Sequence, residues 1–186
     1  MLVGSAKFDS FVRKIEAIVE ASAGDEAYVI EHGRLVLADL VSQDDWLPEA
    51  FTKHHPDHFK QYILYKEPEQ RFSVLCVVWA PGQSAIPHDH TVWGLIGQLR
   101  GAERTRNYED PLPGVPLVIR SEEVLTPGET AVVAPSVGDV HDVENAVDDI
   151  SISIHVYGGD LSSLADRRHR YVAESGEVIP FVTSYY

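Results

Sequence analysis

Residues 82–101 read GQSAIPHDHTVWGLIGQLRG, and this stretch decides the fold. It contains the segment His88-Asp89-His90, two imidazoles separated by one residue at the head of a predicted strand. Because alternate side chains of a strand share a face, both imidazoles can reach one ion. A His-x-His pair is by itself also common as two surface histidines in a loop. The flanking glycines, Gly82 and Gly101, favour the metal-binding interpretation.

A second stretch, residues 128–145, reads GETAVVAPSVGDVHDVEN. The turns Pro127-Gly128 and Gly138-Asp139 bracket a predicted hairpin whose far strand brings His141 back toward the first two histidines. Three neutral imidazoles would then meet one face of a metal ion and leave its opposite face open, as a catalytic site requires. The spacing in the two stretches resembles the first and second cupin motifs, with one additional residue in two gaps of the second. This resemblance implies a small, jelly-roll-like cupin β-barrel.

Composition and charge limit the class of protein. The chain has 186 residues, 44% of them hydrophobic, which suits a globular domain with a buried core. Its 29 acidic and 15 basic residues give a net charge of −14, which repels phosphate backbones, so nucleic acid is not an expected partner. The longest apolar run, Val74 to Ala80, is far shorter than the roughly 20 residues of a membrane span. Nothing in the first residues marks the chain for secretion, and its single cysteine suits a reducing compartment, so we expect a cytoplasmic protein.

A helical pattern opens the chain, and strand patterns follow it. Apolar residues recur at helical spacing between Phe8 and Val19, and the proline-interrupted pattern up to Leu64 predicts further short helices. The predicted strands are 72–80, 92–100, 103–108, 117–120, 130–133 and 150–156, with Pro-Gly and Gly-Asp turns between them. We therefore predict a mainly β fold, a single cupin domain over residues 1–186, with a helical N-terminal part at 1–70 and a β-barrel at 71–186.

One position departs from the common cupin motif. That motif has a glutamate ligand four positions after the second histidine, and this chain has Gly94 there. Without the carboxylate, a divalent ion keeps its full charge on three neutral ligands, which favours anionic groups such as a thiolate or a carboxylate. Nine histidines against one cysteine suit iron, nickel, copper or manganese better than a structural four-cysteine zinc site.

A third motif lies in the segment 151–157, which reads SISIHVY. Its residues alternate strictly, so Ser153, His155 and Tyr157 lie on one face of a predicted strand. Side chains of these three types in register can form a hydrogen-bond relay, in which the serine orients the imidazole and the imidazole holds the phenol. The alternative interpretation is the exposed polar face of a half-buried strand.

The three-histidine set without its glutamate, together with the downstream Ser-x-His-x-Tyr, resembles the cysteine dioxygenase family of thiol dioxygenases. The resemblance runs from about His58 to Tyr171. It implies that three histidines hold Fe(II), that the substrate thiolate binds the iron, and that both atoms of O2 are added to sulfur to give a sulfinate. The implied iron ligands are His88, His90 and His141. The implied relay is Ser153, His155 and Tyr157, with Tyr157 donating a hydrogen bond beside the substrate and oxygen.

Two departures from the animal members of that family concern the crosslink and the substrate. Animal cysteine dioxygenases have a cysteine in place of Gly94, joined by a thioether to the active-site tyrosine. Here that crosslink cannot form, and Cys76 lies in an apolar run typical of a buried strand. The animal enzymes also grip the substrate carboxylate with an arginine from a helix before the barrel, where this chain has Gln61. Glutamine there resembles the bacterial branch that favours 3-mercaptopropionate over cysteine.

In that branch an arginine after the tyrosine relay binds the carboxylate. The matching segment here is Arg167-Arg168-His169, and we expect Arg168 to take this role, with Arg167 as the alternative. A basic surface turn that balances the acidic loops is the other interpretation of the same residues.

The leading hypothesis is therefore a non-haem Fe(II) thiol dioxygenase that oxidises a small carboxylated thiol, 3-mercaptopropionate or cysteine. Its partners are a small-molecule thiol and O2. The alternative is a cupin that binds a small anion without catalysis, or an isomerase-type cupin. An open three-histidine site also accepts Ni or Zn according to supply, and the sequence says nothing about oligomeric state.

Overall fold

A computed structural model describes residues 3–164 and 166–181 of the chain. Two α-helices and a short 3-10 helix precede a series of strands. The helices are α1 (Ala6–Ser22) and α2 (Glu26–Val41), and the 3-10 helix is Glu49–Phe51. The strands are β1 (Lys60–Lys66), β2 (Ser73–Trp79), β3 (Ser84–His88), β4 (Gly94–Arg100), β5 (Glu103–Tyr108), β6 (Ile119–Leu125), β7 (Thr130–Val133), β8 (His141–Asn145), β9 (Ser151–Tyr157), β10 (His169–Val172) and β11 (Glu177–Pro180).

The strands form two antiparallel sheets. One sheet has the order β1-β2-β9-β4-β7, and the other has the order β11-β10-β3-β8-β5-β6. From β2 to β5, and again from β6 to β10, consecutive strands alternate between the sheets, so that β3 and β8 lie in one and β4 and β9 in the other. This is the double-stranded β-helix of the cupins, preceded by two helices, and the predicted fold class is confirmed.

Strand β9 is the middle strand of the five-stranded sheet. All seven of its residues are buried, as are all seven of β2, with which it pairs along its whole length. Its apolar residues, Ile152, Ile154 and Val156, face the helices, where they join the main hydrophobic core. Because side chains of a strand alternate, its serine, histidine and tyrosine residues face the interior of the barrel.

The two helices cover the outer face of this sheet. Ser5 caps α1 by accepting a hydrogen bond from the N–H of Phe8, and Asp25 caps α2 in the same manner. Helix α2 approaches β4 closely, because a Cβ at Gly97 would lie 2.9 Å from a carbon of Leu37. Neither helix is long and apolar enough to cross a membrane, in the residues that the structure describes.

The structure corrects the predicted boundary between the helical part and the barrel. Residues 60–66 are strand β1 and not part of a short helix, so the sheet begins before residue 71. Tyr62 and Leu64 are buried and alternate with half-buried neighbours, which is a strand pattern. Pro48 and Pro56 favoured an interpretation of this region as short helices and polar connections. Among the strands that the structure describes, β1 is an edge strand and pairs with β2.

Several other strands were missed or misplaced by sequence reasoning. Strand β3 and the hairpin β10–β11 were not predicted, because these strands are four or five residues long and mix polar with apolar residues. Strand β8 was predicted as the far strand of a hairpin with β7, but the two strands lie in different sheets, and β8 pairs with β3 and β5. Strand β6 begins later and runs longer than the predicted 117–120. It is an edge strand exposed along six of its seven residues, so it lacks the apolar alternation that identifies a half-buried strand.

Packing of α2 on the sheet predicts a stability difference between two leucines of that helix. Leu37 is fully buried, whereas Leu35 is 63% exposed. Leu37→Ala should lower the free energy of unfolding by about 2–5 kcal/mol, and Leu35→Ala should change it by less than about 0.5 kcal/mol. Urea denaturation followed by circular dichroism measures both. Equal values for the two variants would contradict this packing.

Candidate metal centre and relay

Two of the predicted ligand histidines lie on neighbouring strands of the six-stranded sheet, and the third lies just after one of these strands. His88 ends β3, and His141 begins β8 directly opposite it in the antiparallel pairing. His90 lies beyond the end of β3, which corrects the prediction that His88 and His90 share a strand. Thr91 adopts a left-handed backbone conformation, with φ of 63°, where the chain turns after His90.

The imidazoles meet inside the barrel. One ligand nitrogen from each of His88, His90 and His141 lies within 4.8 Å of the others. The ring centroids are 4.8 to 5.0 Å apart, and the three residues are 8%, 0% and 1% exposed. Nothing in the packing of apolar side chains requires three imidazoles to converge in this way.

An outer hydrogen bond fixes the orientation of each imidazole. The Nδ1–H of His88 donates to the carbonyl of Ile86 at 2.8 Å, and the Nδ1–H of His90 donates to the Asp139 carboxylate at 3.1 Å. His141 Nδ1 lies 3.3 Å from the Thr105 hydroxyl, which itself donates to the carbonyl of Asp142 and therefore accepts from the imidazole. With each Nδ1 protonated, the Nε2 lone pairs remain for an ion.

The electrostatics of the cluster fit a divalent cation. Burial lowers the pKa of His88 and His90 well below the ordinary histidine value and lowers that of His141 to about 4. All three imidazoles are therefore neutral at physiological pH and offer lone pairs. The Nε2 atom of His90 is buried without a hydrogen-bond partner among the residues described. A bound ion would satisfy this atom, so the residues present fit a metal.

Asp139 supports the site in two ways that the sequence did not reveal. Its carboxylate orients His90 and also accepts the backbone N–H groups of His90 at 3.0 Å and of Thr91 at 2.6 Å. The second contact stabilises the unusual backbone of Thr91. In the sequence, Gly138-Asp139 was interpreted only as a turn, because the contact spans 49 positions along the chain.

The Ser153, His155 and Tyr157 side chains form a continuous hydrogen-bond relay. Ser153 Oγ lies 2.8 Å from His155 Nε2, and His155 Nδ1 lies 2.8 Å from the Tyr157 hydroxyl. All three residues are buried, so the alternative interpretation of an exposed polar face is wrong. The Tyr157 ring stacks on His90, with 4.9 Å between the centroids, and the relay therefore ends beside the metal centre.

Gly94 leaves room for the relay tyrosine. A Cβ at this position would lie 2.7 Å from Cε1 of Tyr157, closer than two carbon atoms can pack. The tyrosine ring thus lies directly against the backbone of Gly94. Cys76 does not replace the missing thiol, because it is fully buried and its Sγ is 3.4 Å from the carbonyl of Phe51. Burial also raises the pKa of the Cys76 thiol, which keeps it protonated.

A cavity opens beside the histidines and the relay. It is lined in part by Gln61, His88, His141, His155, Tyr157 and Phe181. Gln61 reaches it from β1, and the helix expected at this position is a strand. Phe181 was not predicted from the sequence; it is 5% exposed, and its ring centroid lies 5.2 Å from that of His88.

The structure distinguishes between the two candidate arginines. Arg168 is 2% exposed, whereas Arg167 is exposed in the turn before it. The Arg168 guanidinium lies over the Phe181 ring at 4.4 Å, and its Nε–H donates to the carbonyl of Asp89 at 3.1 Å. The Phe181 ring on which it packs lies 5.2 Å from that of His88, so Arg168 is close to the metal centre, and its positive charge helps to lower the pKa of the ligand histidines.

Asp89, between the two ligand histidines of the first motif, ties that motif to the C-terminal hairpin. Its carboxylate accepts hydrogen bonds from the backbone N–H of His169 at 2.7 Å and from the hydroxyl of Tyr171 at 2.9 Å. Together with the bond from Arg168 to its carbonyl, these contacts place the arginine beside the metal motif. No local sequence signal indicates this role, because the partners are about 80 positions away.

The fold and the three-histidine centre define a cupin metalloprotein. Residues 2–170 match the model of the family "Cysteine dioxygenase type I", and the chain belongs to that family. It is therefore a dioxygenase of the thiol dioxygenase kind, and the alternative of a non-catalytic or isomerase-type cupin is wrong. Such an enzyme uses a thiol and O2.

Solved structures with similar folds share little sequence. A conserved protein with a double-stranded β-helix domain from Klebsiella pneumoniae is 15% identical, with a TM-score of 0.48 over 60% of this chain and 85% of that one. A protein from Thermus thermophilus is 18% identical, with a TM-score of 0.48 over 60% and 92% of the two chains. A cupin superfamily protein from Desulfitobacterium hafniense is 15% identical, with a TM-score of 0.46 over 63% and 94%.

The contacts of Asp139 predict that it strengthens metal binding. In Asp139→Asn, an amide N–H group replaces one acceptor oxygen, so one of the three N–H donors loses its partner. We expect the dissociation constant for Zn²⁺ to rise about 10- to 100-fold, measured by competition with a chromophoric chelator. Asp148→Asn, at an exposed turn residue, is the control and should bind like the wild type. Equal affinities for all three proteins would contradict the role given to Asp139.

Proposed function

We propose that this protein oxidises a small carboxylated thiol to its sulfinic acid with O2, using Fe(II) held by His88, His90 and His141. The preferred substrate is 3-mercaptopropionate, with cysteine as a poorer one. The proposal rests on the convergence of three oriented, neutral imidazoles beside a cavity that the tyrosine relay also lines. Family membership supports the reaction class, and the residues around the cavity support the substrate class.

Fe(II) would supply the site that brings the thiolate and O2 together and permits their otherwise spin-forbidden reaction. The protein leaves such an ion its full positive charge, because the three ligands are neutral and Gly94 provides no carboxylate. An anionic thiolate is therefore a better ligand than a neutral thiol. The same histidines would accept Ni²⁺ or Zn²⁺ in a purified sample, so activity depends on the ion supplied.

Tyr157 is the residue that acts on the reacting atoms. Its hydroxyl group is held by His155 at 2.8 Å, and its ring is fixed between His90 and the backbone of Gly94. A phenol held in this way can donate a hydrogen bond to negative charge that develops on oxygen, without any loss of side-chain freedom during the reaction. His155 and Ser153 act through the phenol, because they position it.

Arg168 is the residue that binds the carboxylate in this proposal. Its charge lies close to the metal centre, and its side chain is held against Phe181 and the carbonyl of Asp89. A guanidinium group recognises a carboxylate through charge-assisted hydrogen bonds. Arg168 packs on Phe181, which lines the cavity beside the histidines. Gln61 lines this cavity from β1, where its neutral amide can add a hydrogen bond but no charge.

The lining of the cavity favours 3-mercaptopropionate over cysteine. The two thiols have the same spacing between sulfur and carboxylate and differ only in the ammonium group of cysteine. Among the described residues that line the cavity, none is an aspartate or a glutamate. An ammonium group bound there would lose water without gaining an anionic partner, which is costly.

Oxygen consumption tests the proposed reaction. Protein loaded with Fe(II) under anaerobic conditions is exposed to O2 with 3-mercaptopropionate, cysteine, cysteamine or mercaptosuccinate. We expect kcat/KM to be highest for 3-mercaptopropionate, lower for cysteine and lowest for cysteamine, which has no carboxylate. Sulfinate formation is checked by mass spectrometry. The proposal fails if no thiol consumes O2 while the iron stays bound and reduced.

Substitution of each of the two neighbouring arginines tests which one binds the carboxylate. Arg168→Met removes one charge-assisted interaction, which should raise KM for 3-mercaptopropionate about 10- to 100-fold and change kcat less. Arg167→Met, one residue away but exposed, should leave both constants unchanged. Metal content and thermal midpoint are measured for each variant to verify its folding. A larger KM effect in Arg167→Met would assign the carboxylate to Arg167.

A further inference from the structure

A buried carboxyl group lies behind the relay, and the proposed mechanism does not use it. Glu103 begins β5 and is 1% exposed. The Ser151 hydroxyl lies 3.1 Å from its Oε1 atom, and the hydroxyl of Ser153, the first member of the relay, also lowers the pKa of Glu103 through a hydrogen bond. Glu103 is therefore linked through Ser153 to His155 and Tyr157.

This carboxyl group can exist in both protonation states near neutral pH. Burial raises the pKa of Glu103 to about 7, although hydrogen bonds from Ser153, Ser151 and Gln98 oppose the shift. The Oε1 atom of Gln98 is buried and has no hydrogen-bond partner among the described residues. The pocket therefore holds hydrogen-bond donors for an ionised carboxylate, although burial favours the neutral form.

Two ionisable groups near Glu103, Cys76 and His155, each keep one protonation state near neutral pH. Burial and the charge of Glu103 raise the pKa of the Cys76 thiol, so it stays neutral. Burial lowers the pKa of His155 to about 3, so this imidazole is also neutral. Arg100 and Asp44, which act on Cys76 from the end of β4 and from a loop, pair with each other at 2.7 Å. Of Glu103, Cys76 and His155, Glu103 is the one whose charge changes near neutral pH.

Because the His155 imidazole is neutral, the hydrogen bonds along the relay can all point toward Ser153 or all point toward Tyr157. His155 has one protonated nitrogen and one lone pair, so it donates toward one neighbour and accepts from the other. If Ser153 donates to an ionised Glu103, its oxygen accepts from Nε2–H of His155, and Nδ1 accepts the proton of the Tyr157 hydroxyl. If Glu103 is neutral, Ser153 is released to donate to Nε2, and Nδ1–H donates to the Tyr157 oxygen. Only in the second state is the tyrosine proton directed into the cavity.

We propose that Glu103 is a positioning residue whose protonation state sets the direction of the hydrogen bonds along Ser153, His155 and Tyr157. The neutral carboxyl group turns Tyr157 into a donor toward the cavity, and the ionised carboxylate turns it into an acceptor. The consequence for turnover rests on the proposed function, whereas the direction of the relay does not depend on it.

Nitrogen NMR of the histidine side chains tests the direction of the relay. Full-length protein carrying ¹⁵N-labelled histidine is loaded with diamagnetic Zn²⁺, and the His155 signals are assigned by their loss in His155→Gln. In the wild type, we expect Nδ1 to carry the proton at pH 6 and Nε2 to carry it at pH 8, with a midpoint near 7. Glu103→Gln, a neutral isostere, should keep the low-pH tautomer throughout. Glu123→Gln, at an exposed glutamate of β6, is the control and should behave like the wild type.

A single His155 tautomer across this pH range in the wild type would overturn the proposal, and this result does not depend on the folding of Glu103→Gln. An unchanged transition in Glu103→Gln would also overturn it. With Fe(II) and 3-mercaptopropionate, the pH profile of kcat should show a step near neutral pH that Glu103→Gln lacks. Absence of turnover with a normal tautomer transition would count against the proposed function and leave the relay assignment supported.

Discussion

The burial of one polar face of strand β9 is the constraint on which the rest of the structure depends. A strand in the middle of a sheet with helices on one side and a barrel interior on the other has no water to satisfy its polar side chains. Ser153, His155 and Tyr157 therefore bind one another, and Ser151 binds Glu103 and Gln98. The resulting rigidity is useful chemically, because the last member of the chain is a phenol beside a metal centre.

In the metal centre, too, each buried imidazole has a hydrogen-bond partner. A carbonyl, a carboxylate and a hydroxyl group each hold one Nδ1–H, and burial keeps all three imidazoles neutral. The three ligands carry no charge, whereas the chain as a whole has a net charge of −14. A divalent ion bound by the three histidines, with Arg168 on the neighbouring Phe181, would make this region positive in a protein of negative net charge. An anion would thereby be favoured at the site and disfavoured elsewhere on the surface.

The parts of this architecture that the sequence predicted are those with a short-range signal. Strict alternation placed Ser153, His155 and Tyr157 on one face of a strand. The resemblance to the cupin motifs and to the thiol dioxygenases then implied the relay and the ligand set of His88, His90 and His141. Strand β1, and with it the placement of Gln61, was mistaken for a helical region, because its residues are only partly apolar and prolines precede it. The supporting contacts of Asp89 and Glu103 join residues about 50 to 80 positions apart, and no periodicity encodes such pairs.

Asp89 has a geometric consequence for substrate choice. One residue of the metal motif holds the backbone of β10 through its carboxylate and the side chain of Arg168 through its carbonyl. The metal ligands and the arginine are therefore held in one frame of hydrogen bonds. Under the proposed function, in which the metal binds the sulfur atom and Arg168 binds the carboxylate, this frame would measure the number of carbon atoms between the two groups. A thiol acid one carbon shorter or longer would then reach the metal or the arginine, but not both.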